Sequence, residues 1–379
     1  MKININKLLL FFMVAICTID LPAAIIVYGT QIIGLIVVAV LILIKVQKIS
    51  LTAVTIWAGF TIFFVMITYV QSISIEHVSL IWKFAGRVIF WFFIFSLITP
   101  FFQELNRRDV VSILQTWIII FSLFLYAQFL LYYVFGYVVD YSVILGGEPS
   151  RILNNVGLRA SGLTSEPSIY SGMMISLLIL HYIYNGQKNN FYTLFGGVSI
   201  LLTFSTLGFF LFTLYLSITL LRHMSIKKII LLIGTITSVV VLIMPLLISR
   251  YERFINGDDV SNNVKFSVVE NLLNNTSLFT LGYGVVGYSD GAPDYYQALY
   301  DLTLFGNLFV IFGIPLGIFT SVYIFLLLLK IDLPLSIKAL ILLGVVKISI
   351  PNYIFFYLFV LMVVFYKRVL SNENYRFFN

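Results

Sequence analysis

Apolar runs of about twenty residues, divided by short polar breaks, repeat along nearly the whole chain. A helix needs about 20 residues to cross the ~30 Å hydrocarbon layer of a bilayer. On that ruler the runs predict spans near 6–21, 26–46, 51–70, 80–99, 109–135, 167–184, 191–205, 207–221, 228–248, 303–329, 335–350 and 352–366. Asp20 with Pro22, Ser205 to Gly208, and Pro351 interrupt runs that would otherwise merge. Lys2 and Lys7 before Leu8 to Ile19 imitate a signal peptide. Gly29 to Ile44 continues apolar at once, which predicts an uncleaved first helix. The fold class expected is an all-α polytopic membrane protein with about twelve spans and a single integral membrane domain over 1–379.

Composition supports this reading. Only 10% of the 379 residues are charged and 60% are hydrophobic, with a mean hydropathy of +1.03, whereas a soluble domain carries roughly 25% charged residues. Charge also sets the sidedness. With both termini cytoplasmic, 15 of the 23 Lys and Arg residues fall on the cytoplasmic side, as the positive-inside tendency requires. Merging 191–221 into one span would move Arg222, Lys227, Lys228, Lys367 and Arg368 outward. The segment therefore reads as two short helices or a re-entrant hairpin. Two polar segments, about 136–166 and about 249–302, remain as large outer loops.

The other basic residues, 23 − 15 = 8, break the rule: Lys83, Arg87, Arg151, Arg159, Arg250, Arg253, Lys265 and Lys347. Lys83 and Arg87 are four apart and share a helix face. Charges at the outer end of a span are costly unless paired, solvated or snorkelling, and by default they mark a functional cavity. Cations converging there suit a phosphate or pyrophosphate whose lipid tail stays in the bilayer, Arg matching the oxygens bidentately. The most specific segment is Arg159-Ala-Ser-Gly-Leu-Thr-Ser-Glu-Pro-Ser-Ile-Tyr-Ser171. Pro167 suits a first helical position, with Ser165 or Glu166 at the cap. Glu166 there either complements the helix dipole or faces an anion site. Leu281-Gly-Tyr-Gly-Val-Val-Gly287 spells GxGxxG without a framing strand, so a tight turn is expected and not a dinucleotide site. His77, His181 and His223 are dispersed, the single Cys17 forms no disulfide framework, and the sequence suggests no metal site. Asp258, Asp259, Asp290 and Asp294 read as solvated loop charge.

These residues resemble the O-antigen polymerase (Wzy) family of bacterial surface-polysaccharide assembly. The resemblance rests on the Arg159–Ser171 motif, Leu202-Thr-Phe-Ser-Thr-Leu-Gly208, Arg250 at a span exit, and Gly282-x-Gly284 followed by Gly306-x6-Gly313. It implies a metal-independent, cofactor-free glycosyltransferase of the bacterial inner membrane. Such an enzyme moves a growing glycan onto the next undecaprenyl-pyrophosphate-linked oligosaccharide unit, for O-antigen or capsule. It works among membrane lipids, with a chain-length regulator and a flippase of the same pathway as further partners and no nucleic acid. Arg159, Glu166 and Arg250 are then the expected catalytic residues. Lys83, Arg87, Arg151, Arg253, Lys265, Lys347 and Tyr170 are expected to bind substrate. Lys265 stands where related sequences often carry Arg. Tyr295 to Tyr300 lacks the His usual in the related ligases, which favours polymerase over ligase. A flippase for the same lipid-linked sugars is the competing reading from another class.

Overall fold

The structure, a computed structural model, describes residues 4–21, 25–74, 78–149, 158–221, 260–287 and 292–370, with isolated positions between 222 and 259. The described residues are helical, and a lone parallel bridge pairs Asp20 with Thr164. The helices are α1 (Ile5–Thr18), α2 (Ile25–Val46), α3 (Leu51–Ser74), α4 (Val78–Leu97), α5 (Thr99–Glu104), α6 (Arg107–Phe135) and α7 (Tyr141–Ile144). They continue with α8 (Pro167–Tyr184), α9 (Phe191–Leu202), α10 (Thr206–Leu221), α11 (Val260–Asn274) and α12 (Thr276–Leu281). A 3₁₀ turn (Asp294–Ala298), α13 (Thr303–Lys330), α14 (Leu335–Ile348) and α15 (Ile354–Val364) follow.

Six helices among the described residues are long and apolar enough to cross a membrane. Their outer faces agree: Ile56, Ile62, Met66 and Ile73 of α3 are each more than half exposed. A soluble protein does not leave so large an apolar face open to water. The chain is thus an α-helical membrane protein. Five of the runs read as spans are shorter helices of 11–16 residues: α1, α9, α10, α14 and α15. The run at 228–248 lies outside the described residues except at isolated helical positions. The breakers act where expected. α1 ends before Asp20, α9 and α10 part at 203–205 with Phe204 at φ 50°, and α14 and α15 part around Pro351.

α8 is the axis of the bundle. Pro167 opens it, and every residue from Ile169 to Tyr184 is buried. It packs against α6, α9, α10, α14 and α15. The α8–α14 contact is close because Gly172 leaves room: a Cβ there would sit 2.5 Å from the Lys347 Cβ. Ser176 Oγ donates across the interface to the Gly344 carbonyl at 2.7 Å. Small residues that let helices approach, with hydroxyl bonds across the gap, are how membrane helices associate.

The glycine-rich run at 281–287 has a structural use. α13 breaks at Gly313 (φ 76°), two residues before Pro315. Proline has no N–H, so the Ile311 carbonyl loses its helical donor. Gln71 Nε2 (2.7 Å) and the Gly284 amide (3.1 Å) take that carbonyl, while the Tyr283 amide takes Val310 O at 2.7 Å. Gln71 also bonds Leu281 O at 2.6 Å. The run passes so near the kink that a Cβ at Gly282 would lie 2.4 Å from Gly313 N, and both Gly282 and Gly284 have left-handed φ. In place of the expected tight turn, 281–287 is an irregular segment with a bend at Val285. It lies on α3 and α13, and a Cβ at Gly287 would strike Phe84 of α4. The described part of this polar segment, 260–287 and 292–302, is therefore no open loop: it carries α11, α12 and the 3₁₀ turn.

Candidate functional site

The Arg159–Ser171 motif is mostly scaffold. The Ser161 and Gly162 amides both donate to Gln128 Oε1 at 2.9 Å. Gly162 (φ +56°) lies beneath the Tyr170 ring. Thr164 Oγ1 donates to Ser161 O at 2.7 Å and to Glu166 O at 3.0 Å, so the turn is closed on itself. The Asp20 amide donates to Leu163 O at 3.0 Å, and Ser165 Oγ donates to Asp20 Oδ2 at 2.8 Å. These contacts tie the motif to the α1–α2 link. The result is a fixed position for Glu166, which caps α8 through its backbone and makes no side-chain cap bond. Ser168 Oγ donates to its Oε2 at 3.2 Å.

Glu166 lines a cavity of about 230 Å³ with Lys265, Gln297, Tyr300, Asp301, Lys347 and Tyr353. Asp301 joins the two cations. Its Oδ2 lies 2.6 Å from Lys265 Nζ, and its Oδ1 pairs with Lys347 Nζ. Lys347 is 8% exposed, the most buried of the three. Its stem lies against Gly172, so the α8 interface fixes its height in the bundle. Burial holds the Tyr300 hydroxyl well above its usual range, protonated, and it donates to Gly284 O at 2.8 Å. Glu166 comes from the first polar segment and Lys265 and Asp301 from the second, so both segments meet at one end of the bundle.

A second cavity, about 540 Å³, adjoins the first, with Ile350 and Tyr353 lining both. Lys83 and Arg87 face it from α4, Asp20 and Gln31 from the α1–α2 side, and Asn352 from the α14–α15 link. Arg87 stacks over the Phe84 ring at 4.9 Å. A third cavity of about 650 Å³ is apolar, lined by Phe60, Phe64, Phe92 and Phe312 among others, and reaches Ser349 and Pro351 beside Ile350.

Four of the cations singled out by sequence, Lys83, Arg87, Lys265 and Lys347, thus line two adjoining cavities, with Glu166 in one of them. Arg159 is partly buried in the irregular lead into the motif and lines neither cavity. Tyr170 lines neither: its ring is fully buried, stacked on Phe121 at 4.9 Å, and its hydroxyl donates to Ser199 Oγ at 2.8 Å. Arg151, Arg250, Arg253 and the acids Asp258, Asp259 and Asp290 lie outside the described residues. Sequence reasoning missed Asp301 and Asp20. Each is a lone acid beside the end of an apolar run, a signal equal in strength to Lys347's.

Desolvation in the cavity wall pushes the Asp20 carboxyl above the usual carboxylate range, and the neighbouring Glu166 charge adds to it, against the Ser165 bond and the Lys347 charge. A carboxyl whose folded pKa exceeds its unfolded one burdens the fold only once pH is high enough to ionise it in the unfolded chain. Asp20→Asn is therefore expected to melt close to the wild type near pH 4 and above it near pH 7. Thermal unfolding in detergent at the two pH values checks this, and an equal gap at both would refute it. No protein-family description, no characterised protein and no solved structure matches this chain.

Proposed function

We propose that the chain is an inner-membrane glycosyltransferase that polymerises undecaprenyl-pyrophosphate-linked oligosaccharide units into O-antigen or capsular polysaccharide. The observation that carries this reading is the meeting of Glu166 with Lys265 and Lys347 in one cavity, beside a second cavity holding Lys83 and Arg87. A hydroxyl of the acceptor sugar attacks the anomeric carbon of the donor chain. The bond from that carbon to the diphosphate oxygen breaks, and its electron pair leaves with the diphosphate. The hydroxyl proton passes to a carboxylate, for which Glu166 is positioned as base or orienter. Cations fixed in a partly dry site stabilise the leaving charge without reorganising. Lys265 and Lys347 serve that role, with Arg151, Arg250 and Arg253, outer-loop cations by sequence, as further candidates. The apolar cavity ending beside Ile350 suits the prenyl tail.

The test is reconstitution of the purified protein in liposomes with a purified undecaprenyl-pyrophosphate-linked repeat unit, read on a gel. A ladder of lengths is expected. Movement of the unit between leaflets without any ladder would overturn the reading in favour of a flippase.

A further inference from the structure

Polymerisation by chain transfer needs two lipid-linked units at once, one losing its diphosphate and one keeping it. The Glu166 cavity carries little net charge, because Lys265 and Lys347 face Asp301 and Glu166. The neighbouring cavity is more cationic: Lys83 and Arg87 face one acid, Asp20. On α4 the next position of the same face is Trp91, one turn beyond Arg87, and with Cys17 of α1 and Met173 of α8 it adds an apolar stretch to the lining. The cavity thus combines cations with apolar lining, as a lipid-borne phosphate requires. One further group is unmet. Asn352 Oδ1 is buried in this wall and has no hydrogen-bond partner. A buried acceptor without a donor costs about 1–3 kcal/mol. A phosphate ester has no proton to offer it, but a sugar hydroxyl next to the phosphate does.

We propose that the cavity of Lys83, Arg87 and Asn352 is a separate subsite that holds the acceptor unit by its lipid-linked sugar phosphate, across the Ile350–Tyr353 partition from the Glu166 cavity. This rests on the glycosyltransferase reading and deepens it. The phosphoester held here stays intact through the reaction. The bond that breaks is the donor's, at the Lys265–Lys347 side.

Binding stoichiometry tests the proposal directly. The full-length protein in nanodiscs is titrated with radiolabelled farnesyl diphosphate, a short prenyl diphosphate, and two bound molecules per chain are expected. Lys83→Gln with Arg87→Gln should leave one, the other weakened about tenfold or more by loss of charge-assisted contacts. Gly86→Leu provides an independent variant. Gly86 lines the cavity, and a Cβ built there meets nothing within 4 Å, so the side chain fills the subsite without displacing a helix. It too should leave one bound molecule. Inorganic pyrophosphate is expected to bind the subsite at least about tenfold more weakly, since it buries no tail; equal binding would overturn the lipid-borne assignment. Displacement by excess phosphatidylglycerol would mean an ordinary headgroup site and would also overturn the proposal. So would a wild-type stoichiometry below two, or two retained in both variants. The same preparation, assayed for the ladder, separates the claims. A ladder with one diphosphate site sinks only the second subsite, whereas two sites with no ladder sink the polymerase reading.

Discussion

Glu166→Gln is expected to lower the rate of chain extension by about 100-fold or more, the usual contribution of a positioned acid–base group, while leaving the protein folded. The carboxylate is not what starts the helix. Its side chain makes no cap bond to the α8 amides, and the first turn is already built by Pro167 and the bonded Ser161–Thr164 turn. Gln keeps the shape and can still accept from Ser168 Oγ, as Glu166 does at 3.2 Å. Among what is lost is negative charge at the positive end of a helix, worth about 0.3–1 kcal/mol of stability. If that were its whole purpose, the variant would melt slightly earlier and polymerise normally. Ladder formation measured beside thermal unfolding therefore separates the two roles. A normal ladder from Glu166→Gln would remove the residue from the chemistry.

The end of the bundle that holds this residue was legible in unequal parts. Long apolar runs and their breakers identify helices to within a few residues, because proline, glycine and lone acids stop a helix for local reasons. The cations within apolar runs were legible because a charge there is costly wherever it falls, and Lys83, Arg87 and Lys347 line cavities. Residues whose meaning depends on a distant partner were not legible. Gln71 reads as an unremarkable polar residue near the end of α3, yet it bonds carbonyls 210 and 240 positions away. Tyr170 shares a motif with Glu166, and the three-residue turn between them aims one into a cavity and the other into the core. The span count is a separate matter: six helices among the described residues are long and apolar enough to cross a membrane. Helices such as α9 and α15, of 12 and 11 residues, are too short to cross a bilayer alone. They pack against neighbouring helices, and a hydropathy ruler does not register that packing.

Asp301→Asn is expected to be the most destabilising substitution among the cavity residues, by about 2–3 kcal/mol, somewhat below the 3–5 kcal/mol for breaking a fully buried pair because Asp301 is 24% exposed. It removes the carboxylate that both Lys265 and Lys347 engage. The two lysines do not feel this equally. Lys265, 31% exposed on α11, turns to water, and its pair is worth less than about 1 kcal/mol. Lys347, 8% exposed, is anchored where its stem crosses Gly172 and has no such retreat. The loss should accordingly be recovered by adding Lys347→Met, which replaces the buried ammonium, its Asp301 pairing gone, with an apolar chain of similar length. Adding Lys265→Met should recover little. Unfolding of the single and double variants in detergent supplies the comparison, and equal recovery by either lysine change would refute the assignment. The Asp301→Asn, Lys347→Met protein is also expected to be stable and yet unable to extend a glycan, because the buried ammonium that the fold accommodates at a cost is one the leaving diphosphate needs.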